Sequence, residues 1–423
     1  MRRKPNFLFQ TIKFLAVLFS VSALFAVVWI IVPAPVYHLW LFSVLAGEWS
    51  LGFGALASIG VFLGFLWFRF AHESRKFSFF SIMTGAVAVL ISLYPLGSAF
   101  LTAQKEKIPL SFGQYILGLR SETNDDSAAA TKNDFTTRTF ADVDGNALQM
   151  DFYLPPSDVK ALGAGVIVVH GGSWSAGGRN DFPQWNRWLA KQGYAVFDVD
   201  YRLAPQPNWQ TATGDVKCAI VWIKQHAPEF GISPERLAIL GRSAGGHLAL
   251  LAAYTANDTR FPPSCPQTEA ENNLGLSPAA PQTYGENVRA VASLYAPIDL
   301  LWGYENPANR FVIDGPATLR RFIGGNPNES DAIKERFLLT SPTSHTSART
   351  PPTLLFHGGQ DQIVRNENMF LLGEKLEESK VPHKIVFIPY AQHGFDYNFN
   401  GWGSQVVQHA LLQFLDENTK EQR

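Results

Sequence analysis

Ser243 stands at the centre of the pentapeptide Gly241-Arg242-Ser243-Ala244-Gly245, after a short apolar run and before a stretch rich in Ala and Leu. A strand, a sharp turn and a helix with serine at the tip are typical of a nucleophile elbow. Glycine on either side removes clashes around so tight a turn and leaves the hydroxyl exposed. The N–H groups at the start of the helix favour a developing negative charge. The pattern therefore predicts that Ser243 is a nucleophile.

A nucleophilic serine needs a base, and the base needs a group that orients it. His393 lies in a loop just after the last predicted strand, Lys384–Ile388, and Asp361 lies just after the strand before it. We therefore predict His393 as the base and Asp361 as the acid. Asp299, which follows the predicted strand Val288–Tyr295, is the alternative acid.

The loop that begins at His170 contains two glycines, Ser173 and Trp174, and it follows the apolar run Gly165–Val169. Consecutive glycines let backbone N–H groups turn toward a substrate oxygen. The predicted oxyanion donors are backbone N–H groups of this loop, together with the Ala244 N–H just after the nucleophile. We interpret three other histidines as structural: His170, His247 and His357.

From Asp134 onward, short apolar runs alternate with helical patterns. Strands separated by helices predict an α/β fold, a mostly parallel sheet with helices on both faces, whose sites form at the carboxyl ends of the strands. Two insertions interrupt the alternation, Phe261–Asn287 and the aromatic stretch Trp302–Pro327. We expect the second to cover a pocket, because large aromatic side chains favour burial.

Composition limits the classes of function. The 423 residues carry 35 Lys and Arg against 36 Asp and Glu, a net charge of −1, which gives no reason to expect nucleic-acid binding. The only cysteines, Cys218 and Cys265, match no zinc spacing, and the sequence implies neither a metal nor a cofactor. Whether the two cysteines form a disulfide stays open, because sequence gives no distance between them.

Residues 1–103 contain three apolar runs without charge, near 14–32, 51–68 and 79–101. Each is long enough to cross a bilayer as a helix, so the chain is predicted to be a multi-pass membrane protein. Pro33–Trp49 is predicted to be an interfacial segment with an aromatic belt, and a fourth span stays open.

Basic residues cluster at Arg2–Lys13 and Arg69–Lys76. With three spans both clusters lie on one side, which should be the cytoplasm. The predicted catalytic domain, 134–423, would then be extracytoplasmic. A linker, 104–133, would join it to the membrane, and its segment Ile108–Leu119 is apolar enough to lie on the membrane surface.

Several motifs agree in order with a known family. The segments HGGSW, DVDYRLAP, GRSAGGH, LYAPIDL, HGGQDQIV and QHGF resemble those of α/β-hydrolases, in particular the esterase/lipase group with its hormone-sensitive-lipase-like and feruloyl-esterase-like carboxylesterases. The resemblance covers about Asp134 to the carboxyl end, and it implies Ser243, Asp361 and His393 as the triad. It also implies the N–H groups of Gly172, Ser173 and Ala244 as the oxyanion donors. Ser173 departs from the HGGG form of the family, which bears on pocket shape because its N–H remains.

These patterns predict a membrane-anchored serine hydrolase that cleaves a small-molecule carboxylic ester. The alternatives are an amidase or peptidase with the same triad, or a binding protein on a hydrolase fold, although the latter would be expected to lack a triad member. Trp174 and the aromatic insertion predict an apolar pocket for short to medium acyl chains.

Overall fold

A computed structural model describes residues 7–70, 75–121, 134–265, 285–419 and 421 of the chain. Three sequence-based predictions lie at least partly outside these residues: the first basic residues, the polar part of the linker, and most of the insertion Phe261–Asn287.

The amino-terminal part is helical. It contains α1 Phe7–Val27, which continues as a 3-10 turn to Ile30, followed by α2 Tyr37–Glu48, α3 Ser50–Phe70, α4 Arg75–Glu106 and α5 Phe112–Ser121. Within the described residues, three helices are long and apolar enough to cross a membrane, Phe7–Ile30, α3 and α4. Helix α2 has 12 residues, about 18 Å, against about 30 Å for a hydrocarbon core. It is therefore too short to be a fourth span.

Small residues let the three long helices approach closely. A Cβ placed on Gly60 of α3 would come within 2.5 Å of Ser20 Oγ of α1. The hydroxyls of Ser20 and Ser81 lie 3.2 Å apart, so they link α1 to α4. Close packing and hydroxyl contacts of this kind associate helices in lipid, where no hydrophobic difference drives them together.

The rest of the chain forms an eight-stranded sheet in the order β1-β2-β4-β3-β5-β6-β7-β8. The strands are β1 Thr136–Val143, β2 Asn146–Tyr153, β3 Gly165–Val169, β4 Ala195–Val199, β5 Leu237–Arg242, β6 Ala290–Leu294, β7 Thr353–Gly358 and β8 His383–Ile388. The pairs from β4 to β8 are parallel, and the β1–β2 hairpin adds to the edge in antiparallel fashion. The prediction of a mostly parallel sheet is confirmed.

Helices cover both faces of this sheet. The helices of this part are α6 Pro183–Lys191, α7 Trp209–Gln225, α8 Ala244–Tyr254, α9 Leu300–Glu305, α10 Gly315–Ile323, α11 Asp331–Leu339, α12 Glu367–Glu378 and α13 Trp402–Thr419. Strand β3 shows the two layers. Ile167 and Val169 belong to the core that includes α7 and α8, whereas Val166 and Val168 belong to the core that includes α6 and α13. Alternation with a period of two buries every residue of the strand.

The aromatic insertion is helical rather than a loop. Asp299 caps α9 by accepting a hydrogen bond from the Trp302 N–H, and Asp314 caps α10 by accepting one from the Ala317 N–H. These caps satisfy backbone donors that the first turn leaves unpaired. Phe322 is buried as expected, but Phe311 is 82% exposed, which differs from the expectation that the aromatic residues of this insertion are buried.

Helix α5 does not simply lie on a membrane surface, as we expected for Ile108–Leu119. The ring of Tyr115 stacks on Trp402 of α13 with centroids 4.3 Å apart, and the Ser111 N–H donates to Gln405 Oε1 at 2.7 Å. The first part of the linker is therefore packed against the catalytic domain. Glu48, at the end of α2, is buried in the same region, and burial raises its pKa.

The two cysteines form a disulfide. Cys218 on α7 pairs with Cys265, with Cα atoms 5.6 Å apart and a sequence separation of 47. The bond attaches the start of the insertion Phe261–Asn287 to a buried helix, which resolves the alternative that the sequence left open.

Candidate active site

Ser243 occupies a strained turn between β5 and α8. Its backbone has φ 51° and ψ −122°, in a region that side-chain-bearing residues rarely adopt. A Cβ on Gly241 would lie 2.2 Å from the Gly245 carbonyl oxygen, and one on Gly245 would lie 2.2 Å from the His170 carbonyl oxygen. Glycine is therefore required on both sides for the turn to close.

His393 and Asp361 meet Ser243 at the carboxyl ends of the strands. The Ser243 hydroxyl donates to His393 Nε2 at 2.9 Å, and His393 Nδ1–H donates to Asp361 Oδ2 at 2.8 Å. The histidine lies in the loop after β8, and the aspartate lies in the loop after β7. The three predicted residues are thus joined in one hydrogen-bonded chain.

The carboxylate of Asp361 is fixed from both sides. Its Oδ1 accepts from the N–H groups of Ile363 and Val364, at 2.8 and 2.9 Å. Burial alone would raise its pKa, but the charge of His393 and hydrogen bonds from His357 and His393 outweigh burial and hold the pKa of Asp361 well below its usual value. The group is therefore an anion that can fix the orientation of His393.

Asp299, the alternative acid, is placed elsewhere. Its Oδ1 accepts from the Trp302 N–H and its Oδ2 accepts from the Thr343 hydroxyl at 3.0 Å. Both carboxylate oxygens therefore accept hydrogen bonds elsewhere, one from the first turn of α9 and one from Thr343. Asp361, not Asp299, contacts His393.

Of the three other histidines, one lies closer to the acid than we expected. His170 stacks on Tyr201 and hydrogen-bonds the Gly171 carbonyl oxygen through Nδ1, so it supports the glycine loop. His247 is buried between the Trp174 indole and the Thr340 carbonyl. His357, however, places Nε2 within 3.0 Å of Asp361 Oδ2. The spacing of four residues between His357 and Asp361 was the feature of the sequence that could have indicated this contact.

The glycine loop turns its backbone toward Ser243. Gly172, Ser173 and Trp174 have φ angles of 107°, 54° and 57°, and a Cβ on Gly172 would lie 2.0 Å from the Ala176 carbonyl oxygen. Ser173 and Ala244 line the same pocket as Ser243. The loop also lies directly beside the elbow, because a Cβ on Gly171 would come within 3.4 Å of the Ser243 Cβ.

A pocket of about 610 Å³, including its open mouth, lies over the serine. Its walls are largely apolar and come from the glycine loop, the aromatic insertion and the segment after Asp361. The apolar residues that line it include Trp174, Leu300, Ile313, Leu319, Ile363 and Val364. The expectation that the insertion covers a pocket is confirmed. Within the described part of the chain, no cluster of three or more His, Cys, Asp or Glu residues could hold a metal ion.

Behind the elbow lies a buried polar network that sequence reasoning missed. Arg242, next to the serine, is 2% exposed and its Nε donates to Asp396 Oδ2 at 2.5 Å. The Tyr295 hydroxyl donates to the other oxygen, Asp396 Oδ1, at 2.5 Å, and its ring lies 4.5 Å from that of His393. The network links the strand that bears Ser243 to the loop that bears His393.

A serine on a strand-to-helix turn, joined to a histidine and an aspartate from later strand ends, defines an α/β-hydrolase of the esterase/lipase group. Family comparison agrees with the site. The BD-FAE family profile matches residues 150–376 of the 423, and the chain belongs to that family.

Individual relatives are esterases. The chain is 29% identical to the probable carboxylic ester hydrolase LipM of Mycobacterium tuberculosis over 279 residues, covering 64% of this chain and 59% of LipM. It is 31% identical to esterase LipC of the same organism over 258 residues, covering 60% of this chain and 58% of LipC. The chain therefore spans somewhat under three fifths of the length of these relatives.

A solved structure shares the fold. The thermophilic esterase Est2 of Thermogutta terrifontis matches with a TM-score of 0.52 and 22% identity, covering 69% of this chain and 95% of Est2. At this identity the likeness supports the α/β-hydrolase fold and nothing finer.

Proposed function

We propose that this protein is a membrane-anchored serine hydrolase that cleaves carboxylic esters. One observation carries the proposal: Ser243 lines an apolar pocket and is joined to His393 and Asp361 in a continuous hydrogen-bonded chain. That geometry is what nucleophilic acyl transfer requires, a nucleophile in reach of a base and a base oriented by a third group. The names of LipM and LipC favour an ester over an amide as substrate.

The chemistry proceeds in two halves. His393 Nε2 takes the proton of Ser243 as Oγ attacks the acyl carbon, and the resulting oxyanion accepts hydrogen bonds from Gly172, Ser173 and Ala244 N–H groups. His393 returns the proton to the departing alcohol as the carbon–oxygen bond breaks and leaves an acyl-enzyme. Water then attacks with His393 again as base, and the acid leaves as Ser243 recovers its proton.

Asp361 acts through His393 rather than on substrate. Its two backbone hydrogen bonds keep it in place, and its negative charge stabilises the imidazolium that forms in each half-reaction. The same contact keeps the proton of the neutral ring on Nδ1, so that Nε2 is free to accept from the serine.

The substrate follows from the pocket. Apolar walls favour an apolar acyl group at about 25 cal/mol per Å² of buried area, and the limited volume favours short to medium chains. Arg242, the basic residue beside the serine, is buried and paired with Asp396, so its charge does not serve a substrate in this pocket.

Basic residues and the disulfide indicate on which side of the membrane the catalytic domain lies. Arg69 lies in the last turn of α3 and Arg75 begins α4, so positive charge flanks the connection between them and favours the cytoplasmic side. Three spans then direct the catalytic domain away from the cytoplasm, where the Cys218–Cys265 disulfide would persist. A reporter fused after Arg423 tests this: activity outside the cytoplasm is expected, and activity inside would contradict the orientation.

A hydrolysis panel of matched esters and amides, in detergent or vesicles, tests the activity. We expect esters of short to medium acyl chains to be cleaved fastest, and Ser243→Ala, His393→Ala and Asp361→Asn each to lower kcat by about 10⁴-fold or more. The losses should not add, because the residues act as one unit. Folding is checked by circular dichroism for each variant.

Three outcomes would contradict parts of the proposal. Asp361→Asn with near-wild-type turnover, alongside an inactive Asp299→Asn variant, would overturn the choice of acid. Faster cleavage of the amide of each pair would move the protein to the amidase or peptidase class, and turnover that survives Ser243→Ala would exclude the mechanism.

A further inference from the structure

The connection between α1 and α2 is packed on the catalytic domain. Asn309, in the aromatic insertion, donates from Nδ2 to the Ala34 carbonyl oxygen at 2.7 Å. Ala34 and Trp40 also share one buried apolar cluster with Val312 of the same insertion. The segment that leaves the first candidate span therefore touches the insertion through both a hydrogen bond and apolar contacts.

The same cluster reaches the pocket over Ser243. Ile313 and Ile363 pack against Ala34, Trp40 and Val312 on one side and line the pocket on the other. One layer of side chains thus separates the amino-terminal helices from the pocket interior.

Polar contacts strengthen this connection. The Asn309 side chain donates to Gln362 Oε1 at 3.1 Å, and its backbone N–H donates to the Gln362 carbonyl oxygen at 3.1 Å. Gln362 is the neighbour of Asp361, so Asn309 joins the membrane-proximal connection to the loop that bears the acid.

Several exposed apolar side chains lie within three residues of Ala34 or Asn309 along the chain. We call this set the apolar lip; its members are Ile31, Val32, Val36, Tyr37 and Phe311. Phe311 lies between Asn309 and Val312, both of which touch the connection, so it is held on the same side of the domain. One exposed apolar side chain would be ordinary, but several exposed near one contact, with Phe311 82% exposed, indicate an apolar partner.

Chain connectivity identifies that partner. Ile31 and Val32 directly follow the candidate span Phe7–Ile30, so they lie within about 7 Å along the chain of the end of that span. A membrane crossed by the span would place them at its surface, and aromatic and aliphatic side chains are stable in that layer. Arg310, exposed beside Phe311, suits the same depth, where polar head groups are available.

We propose that the apolar lip lies in the interfacial layer of the membrane, and that the pocket takes its substrate from the bilayer as a membrane-partitioned ester. The lipid contact of the lip is independent of the proposed function, whereas the entry of substrate from the bilayer rests on it. The amino-terminal helices then do more than anchor the domain, because their connection supports the pocket wall and holds its edge at the lipid surface.

The first experiment measures lipid contact without activity. Both native cysteines are bonded to each other, so Phe311→Cys adds a single reactive thiol to the full chain. It is labelled with an environment-sensitive fluorophore and reconstituted in phosphatidylcholine vesicles with a head-group-proximal doxyl-labelled phosphatidylcholine. Leu154→Cys, an exposed apolar position near the opposite edge of the sheet, is the control.

Doxyl lipid should quench the label at position 311 and leave the label at 154 unchanged. Equal quenching at the two positions, or none at 311, would overturn the lipid contact whatever the enzyme activity. A label at 311 shielded from both doxyl lipid and aqueous iodide would indicate a protein partner and would likewise overturn it.

The second experiment compares two presentations of substrate in the full chain. Phe311→Ser, which loses little burial, should lower kcat/KM about three- to tenfold for a p-nitrophenyl ester dissolved in vesicles and leave p-nitrophenyl acetate in water unchanged. Leu154→Ser should change neither value. Equal losses for both esters, or no loss for either, would overturn entry from the bilayer. A wild type that cleaves no ester would instead reject the proposed function, and quenching would still test the lip.

Discussion

Replacing Asp396 by asparagine tests whether the buried network behind the elbow holds the site together. In the structure Asp396 is fully buried, Arg242 is 2% exposed, and their side chains meet at 2.5 Å. Asparagine keeps the shape but removes the charge, and its one oxygen replaces two acceptors that now serve Arg242 and Tyr295. The guanidinium of Arg242 would remain buried, facing the rings of Phe182 and Trp185 without a counter-ion.

The size of the effect follows from that unpaired charge. Removing one partner of a buried ion pair costs about 3–5 kcal/mol. At roughly 2 °C per kcal/mol for a domain of this size, the apparent Tm should fall by about 6–10 °C. Because Arg242 adjoins Ser243 and Asp396 is three residues after His393, kcat should fall as well, at temperatures where the variant is still folded.

The assay is a double-mutant cycle on the full chain in detergent, followed by circular dichroism and by ester hydrolysis. Arg242→Met combined with Asp396→Asn removes both charges, so the double variant should be more stable than the two single losses predict. A single Asp396→Asn variant within about 2 °C of the wild type would refute the reasoning. Strictly additive losses would show that the two side chains are not energetically coupled.

Two further predictions concern stability. Burial lowers the pKa of His247 from 6.5 to about 4, although its hydrogen bond to the Thr340 carbonyl opposes this shift. The unfolded chain therefore takes up the proton first, so about 3 kcal/mol should be present above pH 6.5 and be lost as the pH falls toward 4. The Tm should therefore depend less on pH in this range for His247→Gln than for the wild type. The same dependence of Tm on pH in both proteins would contradict the assignment. The disulfide closes a loop of 47 residues, worth about 4 kcal/mol in chain entropy. A reductant should lower the Tm of the wild type but not of a Cys218→Ser, Cys265→Ser variant, and an unchanged wild type would argue against the bond.

Much of the candidate site could be predicted because it depends on local patterns. The glycines around Ser243 are needed by the turn itself, so the elbow is visible in five residues. Asp361 and His393 follow apolar runs that periodicity marks as strands, and parallel strands bring such ends to one edge. The contacts of His393 with Ser243 and of Asp361 with His393 were therefore expected, and the observed distances agree with them.

Other features were missed because their signals are weak or distant. The cap of α10 depends on Asp314, a single polar residue in a segment that resembles a loop. The sequence shows that Arg242 adjoins the serine, but it does not show that Arg242 pairs with Asp396, which lies 154 residues away. His357 could have been recognised by its spacing from Asp361, but spacing does not show that its ring turns toward the carboxylate.

The sequence by itself determined the alternation of strands and helices, the nucleophile elbow, and the three long apolar helices, because each follows from the periodicity or steric needs of neighbouring residues. Tertiary structure alone decided how separate elements pack. It placed Asn309 on Ala34, 275 residues earlier, chose Asp361 over Asp299, and buried Arg242 against Asp396. Such contacts depend on which side-chain surfaces fit together and on which buried polar atoms need hydrogen-bond partners. The spacing of residues along the chain shows neither.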